Sequence, residues 1–338
     1  MTKRKNEYLY AWACDFSKSR GEGLLARKFI DDCTIQQYKK IYINGKEYSK
    51  LKKKNIIFKT NFLRNYFYPF WGLLNIWLSH LSKKKTIYLN YLPLWNFLLF
   101  LFLPKETILG PITGGANYSK SKSFQYYVRK YLFPILYEIS LKIIQKKFNQ
   151  VIFSTDLLKP YIKKKNNFIF NYCLNIYDKK NLNKNKKYDL IFYYRLNKNK
   201  NNLLQKNLIK KLIINNYKVI IIGDNPYLKN SSYIGDLERE KALNYISQSK
   251  FAINNTENVH SLFCLDSLSC GTRVIHFGQK NSQEMYFNRG SIFQKKTNDV
   301  KKQFIFLRNL LNNESSAKIK VNKEYFLNKK KLINILKT

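Results

Sequence analysis

Four short apolar runs constrain the second half of the chain more than any other feature: YDLIFYY (188–194), KVIIIG (218–223), KFAIN (250–254) and RVIHF (273–277). None alternates apolar with polar residues, and segments of helical spacing separate them, at 201–215, 238–248 and 261–269. A strand apolar on both faces is buried on both faces. In a series that alternates with helices, such strands form a parallel sheet covered on each side. SSYIG (231–235) adds a short strand-like piece, and helices near 297–313 and 322–336 close the series.

The first half carries a looser version of the same alternation. EYLYAWAC (7–14), NIIF (55–58), TIYLN (86–90), TILG (107–110) and QVIFS (150–154) read as strands, with helices expected at 21–32, 62–81, 94–103 and about 123–147. At 338 residues the chain is long enough for two such domains, each with its own core. NYCLNIYDKKNLNKNKK (171–187) loses periodicity and turns polar, so it reads as the linker between a domain at 1–170 and another at 188–321, with 322–338 a terminal helix.

Lysine and arginine number 62 against 21 acidic residues, a formal net charge of +41. Such an excess points toward nucleic acid or an anionic membrane surface. Nearly all of it is lysine spread along the chain, without the arginine forks that read bases, which argues against specific nucleic-acid recognition. The five cysteines, Cys14, Cys33, Cys173, Cys264 and Cys270, are odd in number and lack metal-ligand spacing, in keeping with a reduced cytoplasmic compartment. The longest apolar run, YLPLWNFLLFLFLP (91–104), falls short of the ~20 residues a spanning helix needs. Together with the aromatic segment 61–81 it suits a peripheral position on a membrane face.

In a parallel sheet, ligands gather outside the carboxyl ends of the strands, and the residues there are suggestive. Arg195 and Lys200 lie in a turn between a strand and a helix, placed to meet phosphate charge, or else belong to a solvated Lys/Asn-rich loop. Gly223 and Asp224 end the next strand, where Asp224 either meets a ligand or caps a turn. Glu257, Asn258 and Asp266 follow the third. In the first half, Gly21 and Gly23 flank Glu22 in a turn whose backbone a ligand can approach closely, and Gly114 and Gly115 follow Pro111 and Thr113. His80, His260 and His276 are scattered and no metal-binding motif is present, so neither metal nor cofactor is expected.

The run Asp266, Ser267, Cys270, Gly271, Thr272, Val274, Ile275 resembles the donor-sugar motif of retaining GT-B glycosyltransferases of the family 4 type, and Tyr194-Arg195-Leu196 with Lys200 resembles that family's Gly-Arg-Leu turn. Glu257 lies nine residues before Asp266 where the family has two glutamates eight apart, and Asn258 holds the expected position. The resemblance implies an α/β fold of GT-B type, two doubly wound Rossmann-like domains facing a central cleft. It also implies transfer of a sugar from a nucleoside diphosphate sugar to a hydroxyl acceptor. Arg195 and Lys200 would hold the leaving diphosphate, Asp266 the ribose, Glu257 or Asn258 the sugar, and Gly223, Asp224, Gly21, Gly23, Gly114 and Gly115 would line the donor site. The basic, aromatic first half suggests a glycan or lipid-linked acceptor, as in cell-envelope polysaccharide or lipopolysaccharide synthesis, and an anionic membrane surface as partner. Two alternatives stay open: a GT-B-like scaffolding or binding protein without catalysis, and a basic nucleic-acid-binding protein.

Overall fold

The computed structural model describes residues 6–16, 21–31, 38–51, 62–89, 94–113, 127–163, 168–180, 185–196, 202–230, 232–254, 261–278, 286–313, 318–327 and 330. The chain divides into two compact units, residues 1–115, 127–175 and 329–338 in one and 116–126 and 176–328 in the other.

The first unit is built on a seven-stranded sheet: β1 (Asn6–Ala13), β2 (Tyr38–Ile43), β3 (Lys46–Glu47), β4 (Lys85–Leu89), β5 (Ile108–Ile112), β6 (Val151–Phe153) and β7 (Phe168–Ile169), in the order β3-β2-β1-β4-β5-β6-β7. All pairings are parallel except that of β2 with β3, a hairpin turned by Asn44 and Gly45 at φ of 49° and 78°. Asn-Gly is the pair that a two-residue turn with both φ positive favours. The Asn44 side chain then continues the ladder. Its Oδ1 accepts from the Ala13 N–H and its Nδ2 donates to the Ala13 carbonyl, both at 2.8 Å, which fixes the end of β1. Helices Phe62–Leu81, Phe97–Phe102 and Phe133–Lys147 contribute Ile76, Leu99, Phe100, Leu141 and Ile144 to one core with Trp12, Tyr88 and Leu109 of the sheet. Gly72 lets the first of these helices approach β1: a Cβ there would lie 2.2 Å from the Trp12 indole nitrogen.

The second unit holds six parallel strands: β8 (Tyr188–Tyr194), β9 (Val219–Gly223), β10 (Ser232–Gly235), β11 (Ser249–Ile253), β12 (Arg273–His276) and β13 (Ile292–Gln294), in the order β10-β9-β8-β11-β12-β13. The apolar runs explain themselves here. Leu190, Phe192 and Tyr194 of β8 pack into one core with Leu208, Leu212, Phe304 and Leu307, from helices Asn202–Ile214 and Val300–Asn312. Ile191, between them, packs on the opposite face with Leu243, Ile246 and Phe263, from helices Arg239–Ser247 and Leu262–Ser269. Both faces are covered, so the buried middle of the strand, Leu190 to Phe192, is apolar, while Asp189 near its start pairs with Lys250. Each fully buried Leu or Ile contributes about 1.5–3 kcal/mol.

The described residues of the 171–187 segment, 171–180 and 185–187, are held by specific contacts that its composition does not suggest. Tyr172, Cys173 and Leu174 are buried, and the Cys173 N–H donates to the Ser154 carbonyl within the first unit. Lys186 turns inward in the second unit and donates to the carbonyls of Ser247 and Ser249 and to Thr272 Oγ1. Of the segment read as a terminal helix, residues 322–327 are described and belong to the second unit, where Tyr325 packs edge-on against Tyr177. Its continuation, Lys330 apart, lies outside the described residues, as does the expected strand at 55–58.

Candidate active site

In the second unit β8 pairs with β9 on one side and with β11 on the other, so the chain order reverses at β8. The loops leaving the carboxyl ends of β8 and β11 therefore flank the crevice where a doubly wound sheet binds ligands. These are the loops that carry Arg195 and the 255–260 segment.

Arg195 is held by a clamp that comes from β9. The Asp224 N–H donates to the Tyr194 carbonyl at 2.9 Å, and the Asp224 carboxylate accepts from the Leu196 N–H at 2.6 Å. One residue thus grips the backbone on both sides of Arg195. Gly223, just before it, sits at φ +95°, and a Cβ there would lie 2.4 Å from the Tyr194 carbonyl oxygen. The Tyr233 hydroxyl donates to the Gly223 carbonyl at 3.1 Å and secures the same turn. The Arg195 guanidinium carbon lies 5.9 Å from the centroid of Tyr193, whose ring stacks on Phe263 at 5.7 Å. Burial pushes the Tyr193 hydroxyl upward, with Arg195 opposing and Asp236 and Asp224 adding to the rise. A basic group, two aromatic rings and Asp236, from the turn after β10, therefore share the same end of the sheet.

Across the crevice, Asn254 follows β11 and is buried, its N–H donating to the Ile275 carbonyl at 3.0 Å. Ser261 donates to Asn254 Oδ1 at 3.2 Å, and its own oxygen accepts from the Cys264 N–H at 3.3 Å, capping helix Leu262–Ser269. Asn254 and Ser261, the described residues on either side of 255–260, are joined in this way.

Asp266 lies one turn further along that helix and is nearly buried. Arg239 engages both of its oxygens, Nη2 at 2.6 Å and Nε at 3.2 Å. Burial pushes the Asp266 carboxyl up, against the downward pull of the guanidinium. Burial also works to lower Arg239, but the hydrogen bond and charge of Asp266 outweigh it and raise the guanidinium. With a fork this well formed, the pair is ionic. Arg239 was not singled out in the sequence. It lies 27 residues from Asp266, and only the packing of their two helices brings them together.

No family model matches the chain, and no curated protein matches it. Solved structures do. A crystal structure of Anabaena HepE in complex with UDP-glucose superposes with a TM-score of 0.55 at 9% identity, over 91% of each chain. A glycosyltransferase from Rickettsia africae gives 0.53 at 14% identity, over 98% of this chain and 96% of that one. Staphylococcus aureus TarM gives 0.52 at 13% identity, over 79% of this chain and 59% of its own. The fold is GT-B. At these identities the likeness is one of fold.

The other expected site residues divide into two groups. Gly21 and Gly23 open helix Gly21–Phe29, so their backbone is helical and not the positive-φ turn that glycine spacing suggested. Their place is nonetheless the carboxyl end of β1, the reversal point of the first sheet, since β1 pairs with both β2 and β4. Glu22 sits between them, and burial, with help from Asp15, pushes its carboxyl up to about 7. Arg27 of the same helix donates to the Phe16 carbonyl at 2.8 Å and ties the helix to the strand exit. Lys200, Glu257, Asn258, Gly114 and Gly115, together with His260, lie outside the described residues. Burial pushes the described cysteines Cys14, Cys173, Cys264 and Cys270 each up to about 12, which favours the thiol over the nucleophilic thiolate.

Proposed function

We propose that the chain is a retaining glycosyltransferase of the family 4 type that moves a sugar from a nucleoside diphosphate sugar to a hydroxyl acceptor, in cell-envelope polysaccharide or lipid-linked glycan synthesis. The observation that carries this reading is the clamp on Arg195. A guanidinium whose backbone is gripped on both sides, at the reversal point of a parallel sheet, is preorganised for charge that develops on a leaving diphosphate. Lys200 would add a second positive charge from the same turn, Asn254 and Ser261 would frame the loop that brings Glu257 or Asn258 to the sugar, and the Tyr193 and Phe263 rings offer an apolar wall. The resemblance also implies donor contacts for Gly21, Gly23, Gly114 and Gly115. The nucleotide-sugar complex of HepE, which shares the fold, supports the choice of donor class.

The test is nucleotide release from a panel of nucleoside diphosphate sugars, with and without glycan and lipid-linked acceptors. Arg195→Ala should lower turnover roughly 10²–10³-fold with an unchanged melting curve. Turnover unaffected by that substitution would sink the assignment. The Asp266–Arg239 fork favours a second reading, a GT-B-like binding protein without catalysis, because the carboxylate expected to hold the ribose already has a charged partner. That reading predicts nucleotide binding by calorimetry and no release of product with any acceptor.

A further inference from the structure

The helices that cover the first sheet are apolar on the side turned away from it. On helix Phe62–Leu81, Ile76 is buried while Phe67, Trp71, Leu74, Leu78 and Leu81 are 55–71% exposed. Their spacing of four, three, four and three residues makes them one stripe. Leu98, Leu101 and Phe102 do the same on helix Phe97–Phe102, whose Leu99 and Phe100 face the core. Tyr131, Ile135 and Ile139, spaced by four, repeat the pattern through helix Phe133–Lys147. The three helices form one layer. Trp77 Nε1 donates to the Phe102 carbonyl at 2.7 Å, and Lys147 Nζ donates to the Leu101 carbonyl at 2.5 Å. A soluble surface scatters its apolar residues singly, and a contiguous patch of this kind marks an interaction site.

We propose that this layer is a docking face for an anionic lipid bilayer, on which the protein lies without inserting a span. Charge selects that occupant. The stripe Ile135, Ile139 continues at helical spacing through Lys142 to exposed Lys146, and exposed Lys83 follows the end of helix Phe62–Leu81, so that, with Lys142 and Lys105 matched to the acids of the layer, Lys83 and Lys146 remain as positive charge at its rim. The acids on this layer are already paired, Glu138 with Lys142 at 2.8 Å and Glu106 with Lys105 at 3.6 Å. Apolar and aromatic side chains rimmed by lysine match the acyl boundary and the phosphate headgroups of an anionic leaflet. A second copy of the chain suits the face poorly, because each copy carries a formal charge of +41. Among the described residues no helix is long and apolar enough to cross a membrane, so the face would rest on the bilayer. The proposal does not depend on the catalytic assignment.

Full-length protein would be sedimented with vesicles of phosphatidylcholine containing phosphatidylglycerol and with vesicles of phosphatidylcholine alone, at low and high salt. Binding is expected to the anionic vesicles, to weaken with salt, and to fall at least ~10-fold in the double variant Trp71→Glu, Leu78→Glu. The control variant Leu203→Glu, Ile214→Glu places the same charges on exposed apolar positions of the second unit and should bind as the wild type does. Melting curves of both variants establish that they fold. The idea fails if the wild type ignores anionic vesicles, or if the two double variants bind equally well. It also fails if light scattering without lipid finds a dimer that Trp71→Glu, Leu78→Glu dissociates.

Discussion

The two units share an architecture and differ in where each departs from ordinary packing. The second unit departs inside. It buries an ion pair between two helices, while its exposed apolar residues, among them Leu203, Ile214 and Ile305, are scattered over separate turns and helices; a left-handed glycine against a neighbouring strand is common to both units, Gly223 here and Gly110 in the first. The first unit departs outside, in a three-helix layer whose outward stripes are as apolar as its core. Internal departures of this kind must be held by the fold and so cost stability when altered; external ones need a partner and cost little when altered. The contrast therefore teaches which residues serve the site and which serve a surface.

Breaking the ion pair should have the largest effect. Arg239→Ala leaves the Asp266 carboxylate without its partner, and loss of about 3 kcal/mol is expected, the low end of the range for buried pairs because Arg239 keeps some contact with water. The sign of its pH dependence is also fixed. In the variant, burial raises the Asp266 carboxyl with only the charge of Lys180 to oppose it, so the folded state binds a proton that the unfolded state has released. Stability then falls as pH rises above the ordinary carboxylate range. Urea denaturation at pH 5 and pH 8 would check this; a cost equal at both would mean that the Arg239–Asp266 contact is weak. Gly223→Ala should cost about 2 kcal/mol, because it places a side chain at φ +95° against the carbonyl that precedes Arg195. Turnover should fall with it, since the turn that must shift is the one gripped by Asp224. A variant as stable and as active as the parent would break the link between the glycine and the clamp.

Much of this was legible in the sequence, for reasons that particular residues make plain. Strands β8, β9, β11 and β12 each hold an uninterrupted apolar run because both faces are covered there, and a run of that kind announces itself. Edge strands do not: β7 has two residues and β13 three, too few to show any pattern. The hairpin at Asn44-Gly45 carried a recognisable signal in its turn, but its strand YKKIYI puts two lysines on exposed positions and hides the apolar run. At the site, the order of Arg195, Asp224 and Asp266 along the chain was readable, and so was the location of Arg195 and Asp224 at strand ends. What Asp224 and Asp266 touch was not. A carboxylate's partner is fixed by the packing of elements distant in sequence, and Asp224 turned out to hold the backbone around Arg195 while Asp266 holds Arg239.

Glu22 is an internal departure of the first unit, and a smaller effect is expected from it. Its carboxyl, ordinarily at 4.5, is raised to about 7 by burial and by Asp15. The folded state therefore keeps a proton between those values that the unfolded state gives up, and stability falls as pH rises from about 4.5 to about 7. Glu22→Gln should remove that slope and leave the variant more stable than the parent at pH 8. Parallel slopes for the two proteins would place the Glu22 carboxyl in water.

The smallest effect should come from the largest side chains. Trp71 and Leu78 are 59% and 66% exposed, so their surroundings in the folded chain differ little from those in the unfolded one. Replacing each by glutamate removes little burial and brings a negative charge beside a strongly basic surface, which offsets the loss of apolar contact along the helix. The expected change in unfolding free energy is within about 0.5 kcal/mol. Trp77 is the internal control: it lies on the same helix, but its indole N–H donates to the Phe102 carbonyl and joins two helices of the layer. Trp77→Phe should therefore cost more, about 1 kcal/mol, despite the milder substitution. If chemical denaturation ranked Trp71→Glu above Trp77→Phe in cost, the outward stripe would be part of the first unit's own packing, and the contrast between an inside kept by the fold and an outside kept for a partner would fail.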